Sequence, residues 1–315
     1  MKRSVVTLLL GVFLLVIACQ PQVPGGEQPL DTLAAVELVS SGVQGVELEF
    51  LQDLPPPVIY DQNELVSLIE VRNLGNSNLA QEDCFVHITG FDPFIIAGGF
   101  DAIRPCAENL PLLEGKSLYN TQGEVNQLEF ISSAISLPDV PEYSPNLKYN
   151  VCYNYHTKAS PSVCVDPLKF QVSGQQKACD FRSGVKVRAG QGGPVGISYV
   201  KSDMVNGKAI FEINVRNMGN GRILSPYADI FSCGDVGLDR TEFDRVGYTV
   251  QLGGGALGDC KPRDGIIRMN NENGKILCTF DTFGTAAYET PLIVDLDYSY
   301  WQSYDKQVRI VKTPE

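Results

Sequence analysis

Two stretches of alternating hydrophobic and polar residues lie 144 positions apart in the chain and share much of their sequence. Residues 68–80 read LIEVRNLGNSNLA, and residues 212–224 read EINVRNMGNGRIL. In each stretch every second residue is apolar up to the asparagine, and an alternation of period two is typical of a strand with one buried face. The repeat therefore predicts that one strand occurs twice, once in each half of the chain.

Both predicted strands stop at a glycine followed by an asparagine. These pairs are Gly75-Asn76 in the first copy and Gly219-Asn220 in the second. Glycine permits positive φ, and asparagine can hydrogen-bond a turning backbone, so each strand is expected to leave its sheet there. We interpret the repeated stretch as the folding signal for one edge of a β-sandwich.

The rest of the chain shows the same short periodicity. Several segments are rich in β-branched and aromatic residues and are bounded by glycine, proline or asparagine, which favours strands. These segments are GVELEFL, NQLEFISSAISL, GVKVRA, GISYVKS, YTVQL, KILCTFD and QVRIV. Beyond the N-terminal segment no stretch has convincing amphipathic helical periodicity, so the sequence predicts an all-β fold.

The N-terminal segment has the pattern of a signal peptide. Lys2 and Arg3 precede an apolar run from Val5 to Ile17, and small Ala18 and Cys19 follow it. A helix of about 13 residues is about 20 Å long, which is too short for a hydrocarbon core of about 30 Å. Residues 1–18 are therefore predicted to be a cleaved export signal.

The end of this signal resembles the lipobox of prokaryotic lipoproteins. Val16-Ile17-Ala18-Cys19 matches that motif, and the resemblance implies that Cys19 carries the lipid and becomes the new N-terminus. The alternative is an ordinary secreted protein whose signal ends in cysteine. Residues 20–29, QPQVPGGEQP, cannot build a core, so residues 19–33 are predicted to be the lipidated cysteine and an extended tether.

The repeated strand followed by V-x-N-x-G resembles the CARDB-type and related immunoglobulin-like domains of bacterial and archaeal surface proteins. The resemblance covers about 15 residues of each copy and implies tandem immunoglobulin-like β-sandwiches used for adhesion, spacing or display. No catalytic residue is implied. We expect one sandwich in residues 34–173 and a second in residues 174–315.

The cysteines support export and this division. After Cys19, eight remain, and an even number behind an export signal predicts disulfides. Four precede residue 174 and four follow it. Positions relative to the repeat predict the pairs Cys84–Cys106 and Cys233–Cys260, which leaves Cys179 for Cys278.

The remaining two cysteines lie where the ends of the two repeats align. Residues 149–165 align without gaps on residues 294–310, and both segments are predicted to be hairpins. The alignment puts Cys152 on Asp297 and Cys164 on Arg309. We therefore predict a Cys152–Cys164 disulfide in one hairpin and an Asp297–Arg309 ion pair in the other. A zinc site of Cys152, His156 and Cys164 is a less favoured alternative, because no CxxC knuckle accompanies it.

Charge divides the chain unevenly. The net charge is −12, but residues 30–173 hold 19 acidic against 6 basic residues, whereas residues 174–315 hold 17 of each. A nucleic-acid-binding protein would be basic, so nucleic acid is not an expected partner. The acidic half is interpreted mainly as a solvated face. Attraction to a basic partner or to Ca²⁺, or repulsion from an anionic membrane, remains open.

Catalytic patterns are scarce. The only histidines are His87 and His156, and the chain has no GxSxG, HExxH or P-loop motif. Gly253, Gly255 and Gly258 spell GxGxxG, but Cys260 and Pro262 follow where a nucleotide site needs a helix. Calcium ligands at Asp235, Asp239 and Asp244 lack EF-hand spacing. We expect a non-enzyme without cofactor or metal, with glycoside hydrolysis by a carboxylate pair as the remaining catalytic alternative.

The segment DYSYWQSY supplies the candidate ligand-binding residues. Tyr298 and Tyr300 share the inward phase of their strand and are expected in the core, whereas Trp301 and Tyr304 are expected near a hairpin tip. The sequence thus predicts a lipid-anchored cell-surface protein that acts as a structural, adhesive or partner-binding module. An extracellular carbohydrate-binding or accessory lipoprotein that uses the Trp301 hairpin is the alternative, so the expected partners are membrane lipid and an envelope protein or glycan.

Overall fold

The structure of the chain is a computed structural model that describes residues 39, 41–96, 99–169, 177–188, 190–234, 238–255 and 257–313. The predicted signal peptide, Cys19, the tether and the predicted boundary between residues 173 and 174 lie outside these ranges. Within the described part, no helix has both the length and the apolar character needed to cross a membrane. All of the described residues belong to one compact unit.

The described residues form strands and five short 3-10 helices, so the fold is all-β as the sequence predicts. In the first half the elements are β1 (Val46–Phe50), β2 (Val58–Tyr60), β3 (Glu64–Asn73), η1 (Gln81–Asp83), β4 (Cys84–Thr89), η2 (Pro93–Ile95), β5 (Ile103–Pro105), β6 (Val125–Ala134), β7 (Glu142–Tyr143), β8 (Asn146–Ala159) and β9 (Ser162–Val165).

The second half repeats much of this order. Its elements are η3 (Phe181–Ser183), β10 (Val185–Lys186), β11 (Val195–Val205), β12 (Lys208–Asn217), β13 (Arg222–Leu224), η4 (Ile230–Ser232), η5 (Arg240–Glu242), β14 (Arg245–Leu252), β15 (Asp259–Lys261), β16 (Ile266–Arg268), β17 (Asn273–Asp281), β18 (Tyr288–Gln307) and β19 (Arg309–Val311).

The repeated stretch forms β3 in the first half and β12 in the second. Burial alternates residue by residue along both strands, which confirms the predicted period. Their position differs from the prediction, because neither strand is an edge. In the first half β3 lies between β1 and β6, and in the second β12 lies between β11 and β17 in the five-stranded order β10-β11-β12-β17-β15.

A third sheet joins the two halves, in the order β16-β14-β18-β8-β4-β5. At its centre β8 and β18 run antiparallel from Asn146 opposite Gln307 to Ala159 opposite Val294. β9 continues the same register from Ser162 opposite Pro291. We call this the shared sheet. Each half therefore has one sheet of its own, β1-β3-β6 or β10-β11-β12-β17-β15, and contributes strands to the shared sheet.

This pairing corrects the two predicted hairpins. Residues 149–165 and 294–310 do not fold back on themselves but pair mainly with each other, so the halves are fused edge to edge rather than arranged as separate sandwiches. The physical reason lies in their inner faces, because both strands present buried tyrosines to the same side. Pairing them closes two exposed sheet edges at once and merges two apolar faces.

Four tyrosines form the centre of the merged core. Tyr153 and Tyr155 from β8 face Tyr300 and Tyr298 from β18, with ring centroids 5.5 to 6.3 Å apart. All four are buried, which confirms the expected core role of Tyr298 and Tyr300. One hydrophobic cluster contains residues from both halves, so burial of apolar area stabilises the halves jointly.

The disulfides are Cys84–Cys106, Cys152–Cys233, Cys164–Cys179 and Cys260–Cys278. The first confirms the prediction. The predicted pairs Cys233–Cys260, Cys179–Cys278 and Cys152–Cys164 are wrong. Since β8 and β9 are collinear, Cys152 and Cys164 are about 40 Å apart at about 3.3 Å per residue and cannot bond. Cys260 instead faces Cys278 across β15 and β17.

The predicted ion pair is also absent from the described contacts, for the same reason. Asp297 lies opposite His156 across the β8–β18 pair, and its carboxylate contacts the imidazole of that residue. Arg309 belongs to β19, which pairs with β2 and β7, and its guanidinium lies 3.9 Å from the Glu142 carboxylate. The two residues predicted to pair therefore sit on different sheets.

Candidate functional site

The first repeat closes its turn with one asparagine and one tyrosine. The Asn73 side-chain oxygen accepts hydrogen bonds from the Gly75 N–H (3.3 Å) and the Tyr155 hydroxyl (3.1 Å), and its amide donates to the Ser77 carbonyl (2.7 Å). Burial raises the pKa of Tyr155, so its hydroxyl keeps its proton and remains a donor. The V-x-N-x-G pattern thus encodes a buried hydrogen-bond circuit at the strand end.

The second repeat contains the same circuit. Asn217 accepts from the Gly219 N–H (3.2 Å) and the Tyr300 hydroxyl (2.9 Å) and donates to the Gly221 carbonyl (3.0 Å). Burial raises the pKa of Tyr300 to about 12. Because both tyrosines come from the centre of the shared sheet, each turn is fixed to the place where the halves meet.

The surroundings of the two turns differ. In the first copy other segments cover the turn: the Asn76 N–H donates to the Gly192 carbonyl (2.9 Å), and the Lys116 N–H donates to the Gly75 carbonyl (2.6 Å). As a result Gly75 is buried and Asn76 is half-buried, whereas in the second turn Gly219 is half-buried and Asn220 is exposed. The duplication has therefore left one copy of the turn closed and the other accessible.

A cavity of about 260 Å³ lies beside the accessible turn. Its walls are residues 43–47, Pro194, residues 218–220 and residues 302–304, so both halves contribute to it. We call it the Asn220 cavity. Polar Gln302, Ser303 and Glu47 line it together with apolar Met218. This mixture suits recognition of a neutral or basic polar group.

Tyr304, one of the two predicted ligand-binding residues, lines this cavity. It is half-buried, its hydroxyl accepts a hydrogen bond from the Leu48 N–H (3.5 Å), and burial raises its pKa. Its neighbour Gln302 accepts a hydrogen bond from the Tyr153 hydroxyl (3.2 Å). Tyr304 is therefore held by β1 of the first-half sheet, and Gln302 is held by Tyr153 of the shared sheet.

Trp301, the other predicted ligand-binding residue, lies on the opposite face of β18. Its indole N–H donates to the Asn150 side-chain oxygen (3.1 Å), and Phe243 and the Arg222 guanidinium pack on its ring. Cys152, opposite Trp301 in register, is held to Cys233 by a disulfide. Both candidates thus lie along a long strand instead of at a hairpin tip, and Trp301 packs within a small outer-face cluster.

His156 is a polar centre that the sequence did not single out for recognition. Its Nδ1 lies 2.7 Å from the Asp297 carboxylate and its Nε2 lies 3.2 Å from that of Asp295. The hydrogen bond to Asp297 raises the pKa of His156, while partial burial opposes the shift. Only the cross-half pairing of β8 with β18 brings these residues together, so no local pattern could have indicated them.

Within the described ranges, the remaining sequence candidates do not form a metal or nucleotide site. Cys152 and Cys164 are in disulfides, and the described residues contain no group of three or more potential metal ligands. Asp239 caps η5 by accepting from the Thr241 N–H (2.9 Å), and Asp235 lies outside the described ranges. The glycines of GxGxxG follow β14 and lead into β15, not a helix.

No protein-family model and no curated protein matches this chain. Among solved structures, it is similar to the C-terminal domain of the Streptococcus pyogenes antigen I/II-family protein AspA. That alignment covers 86% of this chain and 100% of the other, with 8% identity and a TM-score of 0.19. A similarity this weak carries no argument about fold or function.

Proposed function

We propose that the protein is an exported, non-catalytic surface module, anchored through lipid on Cys19, that binds a partner in the cell envelope. The observation that carries the proposal is the state of the cysteines. All eight cysteines after Cys19 lie in four disulfides, which indicates an oxidising environment outside the cytoplasm. A fold cross-linked by four disulfides is suited to a protein that is exposed outside the cytoplasm.

The lipid anchor follows from the resemblance of residues 16–19 to a lipobox. Two acyl chains on Cys19 would give stable attachment at about 0.8 kcal/mol per buried methylene, and the proline- and glycine-containing tether would hold the compact unit off the bilayer. The Asn220 cavity, to which both halves contribute, is the proposed recognition site.

Cell fractionation tests the anchor. In the source cell the wild-type protein should sediment with membranes, and Cys19→Ser should appear in the medium or the soluble envelope fraction. Gln20→Ser, which leaves the cysteine in place, is the matched control and should stay with membranes. Continued membrane retention of the serine variant would contradict lipid attachment.

Cross-linking in intact cells tests partner binding. A photoreactive amino acid at Asn220 should give a discrete cross-linked envelope protein, whereas one at Tyr119, an exposed residue outside the cavity lining, should not. Absence of any product at several cavity positions would argue against a partner-binding role for this surface.

Glycan binding is the second candidate function, and the cavity favours a particular version of it. Tyr304, Gln302 and Asn220 offer an aromatic ring beside amide groups, a combination that suits sugar hydroxyls. A glycan array should then show binding that Tyr304→Ala abolishes and that Phe283→Ala, at an exposed ring outside the cavity lining, leaves unchanged. No binding by the wild-type protein would reject this candidate.

A further inference from the structure

The edge of β18 that borders the Asn220 cavity has peptide groups that no described strand pairs with. On one side β8 pairs with the whole segment from 294 to 307. On the other side β14 pairs with residues 292–297 and β13 with residues 299–301, and there the registers of the described strands end. Among the described strands, residues 302–307 are therefore paired on one side only.

Hydrogen-bond alternation identifies which peptide groups face the open side. The Leu292 N–H donates to the Pro161 carbonyl on the β8–β9 side, and the Gly253 N–H donates to the Pro291 carbonyl on the β14 side. In an antiparallel ladder the direction alternates with each residue, so even-numbered residues of β18 bond towards β8 and odd-numbered ones point away. Ser303 and Asp305 thus direct their N–H and C=O groups to the open edge.

The position of the cavity matches the next place in this row of strands. β14 and then β13 lie one after the other along the same side of β18, both antiparallel to it. The Asn220 cavity begins where β13 ends, opposite residues 302–304. A segment bound there would be the third strand along this side of β18, after β14 and β13.

The first repeat provides an internal example of peptide bound at this turn. There the Asn76 N–H donates to the carbonyl of Gly192, a residue of the other half. Asn220 is the equivalent residue of the second repeat, and it lies at the cavity and is exposed. A peptide carbonyl is thus the group that this turn binds where the site is filled.

We propose that the Asn220 cavity and the open β18 edge bind an extended segment of a partner polypeptide, which adds to the shared sheet beside Ser303 and Asp305. Asp305 lies opposite Lys148 in register and accepts a hydrogen bond from Asn146 (3.1 Å). Exposed Glu47, which lines the cavity, is the carboxylate that favours a segment with lysine or arginine. At about 3.3 Å per residue, residues 302–307 offer about 20 Å of edge. This inference deepens the proposed function and depends on it.

The test uses random twelve-residue peptides displayed on phage and selected on the wild-type protein. Ser303→Pro removes one edge N–H without touching the ladder to β8, and proline is tolerated on a free strand edge. Ser303→Ala keeps that N–H and is the matched control. Selected peptides should contain basic residues, bind Ser303→Ala like wild type and bind Ser303→Pro at least tenfold more weakly.

A second arm does not depend on how Ser303→Pro folds. Synthetic copies of the selected peptides with N-methyl groups on alternate amides retain every charge but lose strand donors. Two versions of each peptide are made, one methylated at the odd-numbered amides and one at the even-numbered amides. One of the two should bind the wild-type protein at least tenfold more weakly than the unmethylated peptide. Equal binding of both versions, equal binding by a folded Ser303→Pro, or no peptide enriched on wild type would each overturn the proposal.

If a glycan or a second copy of this chain occupies the site instead of a partner peptide, the experiments give different results. A glycan lost in Tyr304→Ala, with no peptide selected, would assign the cavity to sugar and overturn the inference. A concentration-dependent dimer abolished by Ser303→Pro would assign the edge to a second copy of this chain and overturn it as well. If envelope cross-linking succeeds equally with Ser303→Pro, the protein still binds a partner, but not through this edge.

Discussion

At the scale of single residues, the asparagine of each repeat does more than end a strand. Asn217 satisfies the N–H of Gly219, the carbonyl of Gly221 and the buried hydroxyl of Tyr300. Without Asn217 the Gly219 N–H would still donate to the Pro194 carbonyl (3.2 Å), but the Gly221 carbonyl and the Tyr300 hydroxyl would lose this partner. A buried polar group left without a partner costs more than the net value of the bond itself. The repeated motif is therefore a stability element.

Asn217→Ala should lower the free energy of unfolding by about 2 to 3 kcal/mol, because the Tyr300 hydroxyl and two backbone groups lose a partner. Urea titration monitored by tyrosine and tryptophan fluorescence measures this. Asn220→Ala, at an exposed position of the same turn, is the control and should stay within about 0.5 kcal/mol of wild type. Equal effects of the two substitutions would contradict the assigned circuit.

The raised pKa of His156 predicts that the free energy of unfolding depends on pH. Its pKa is raised in the folded state, so the favourable contact with Asp297 and Asp295 is fully present below the unfolded pKa and is lost as pH rises through the folded pKa. The Lys158 ammonium also lies 3.8 Å from the Asp295 carboxylate. Because the imidazole is partly exposed, the contribution is at most about 1 kcal/mol.

Unfolding midpoints measured between about pH 5.5 and 8.5 test this at residue level. Wild-type stability should fall with rising pH by more than that of His156→Gln, and the two curves should converge at the alkaline end. His87→Gln is a poor control because that ring is buried, so Lys158→Gln serves instead and should preserve the pH dependence. Parallel curves for wild type and His156→Gln would refute the assignment.

At the scale of elements, the loop between β13 and β14 crosses from the second half to the first. Ile230 and Cys233 from this loop pack with Cys152 of β8, and Phe231 contacts the Phe85 ring of β4 at 5.3 Å. The disulfide between Cys152 and Cys233 fixes the crossing and joins residues 81 apart in sequence. It is thus a covalent link between the halves.

Replacing Cys152 and Cys233 together with serine should destabilise the protein by about 4 kcal/mol, because the closed loop is long and the site is buried. The pair Cys164 and Cys179, only 15 residues apart, is the matched control and should cost about 3 kcal/mol. Denaturant unfolding of both double variants gives the comparison. A larger loss from the shorter loop would show that loop closure is not the governing term.

Local patterns predicted the strands but not their partners. The alternation in residues 64–73 and 208–217 depends on one neighbouring layer, so the sequence reveals it directly. The pairing of β8 with β18 connects residues about 130 to 160 positions apart, and no turn or periodicity encodes it. Errors in the cysteine pairs, in the Asp297 contact and in the position of Trp301 all follow from that one missing pairing. The Asn220 cavity was missed for the same reason, apart from Tyr304.

At the scale of the whole molecule, one sheet and one tyrosine-centred core span both halves. Such a unit should unfold cooperatively. Scanning calorimetry should give a single transition whose calorimetric and van't Hoff enthalpies agree. The Cys152→Ser/Cys233→Ser variant should also give one transition, since the shared core remains. Two separated transitions in either protein would show that the halves unfold independently.

The central pairing of β8 with β18 also has a consequence for biogenesis. During synthesis β8 is made about 150 residues before β18, which at about 5 to 20 residues per second is a delay on the order of ten seconds. Throughout that interval β8 lacks its neighbour, and an unpaired apolar edge invites aggregation. We therefore expect that a chaperone that covers exposed strand edges raises the yield of folded protein when it is coexpressed with this chain.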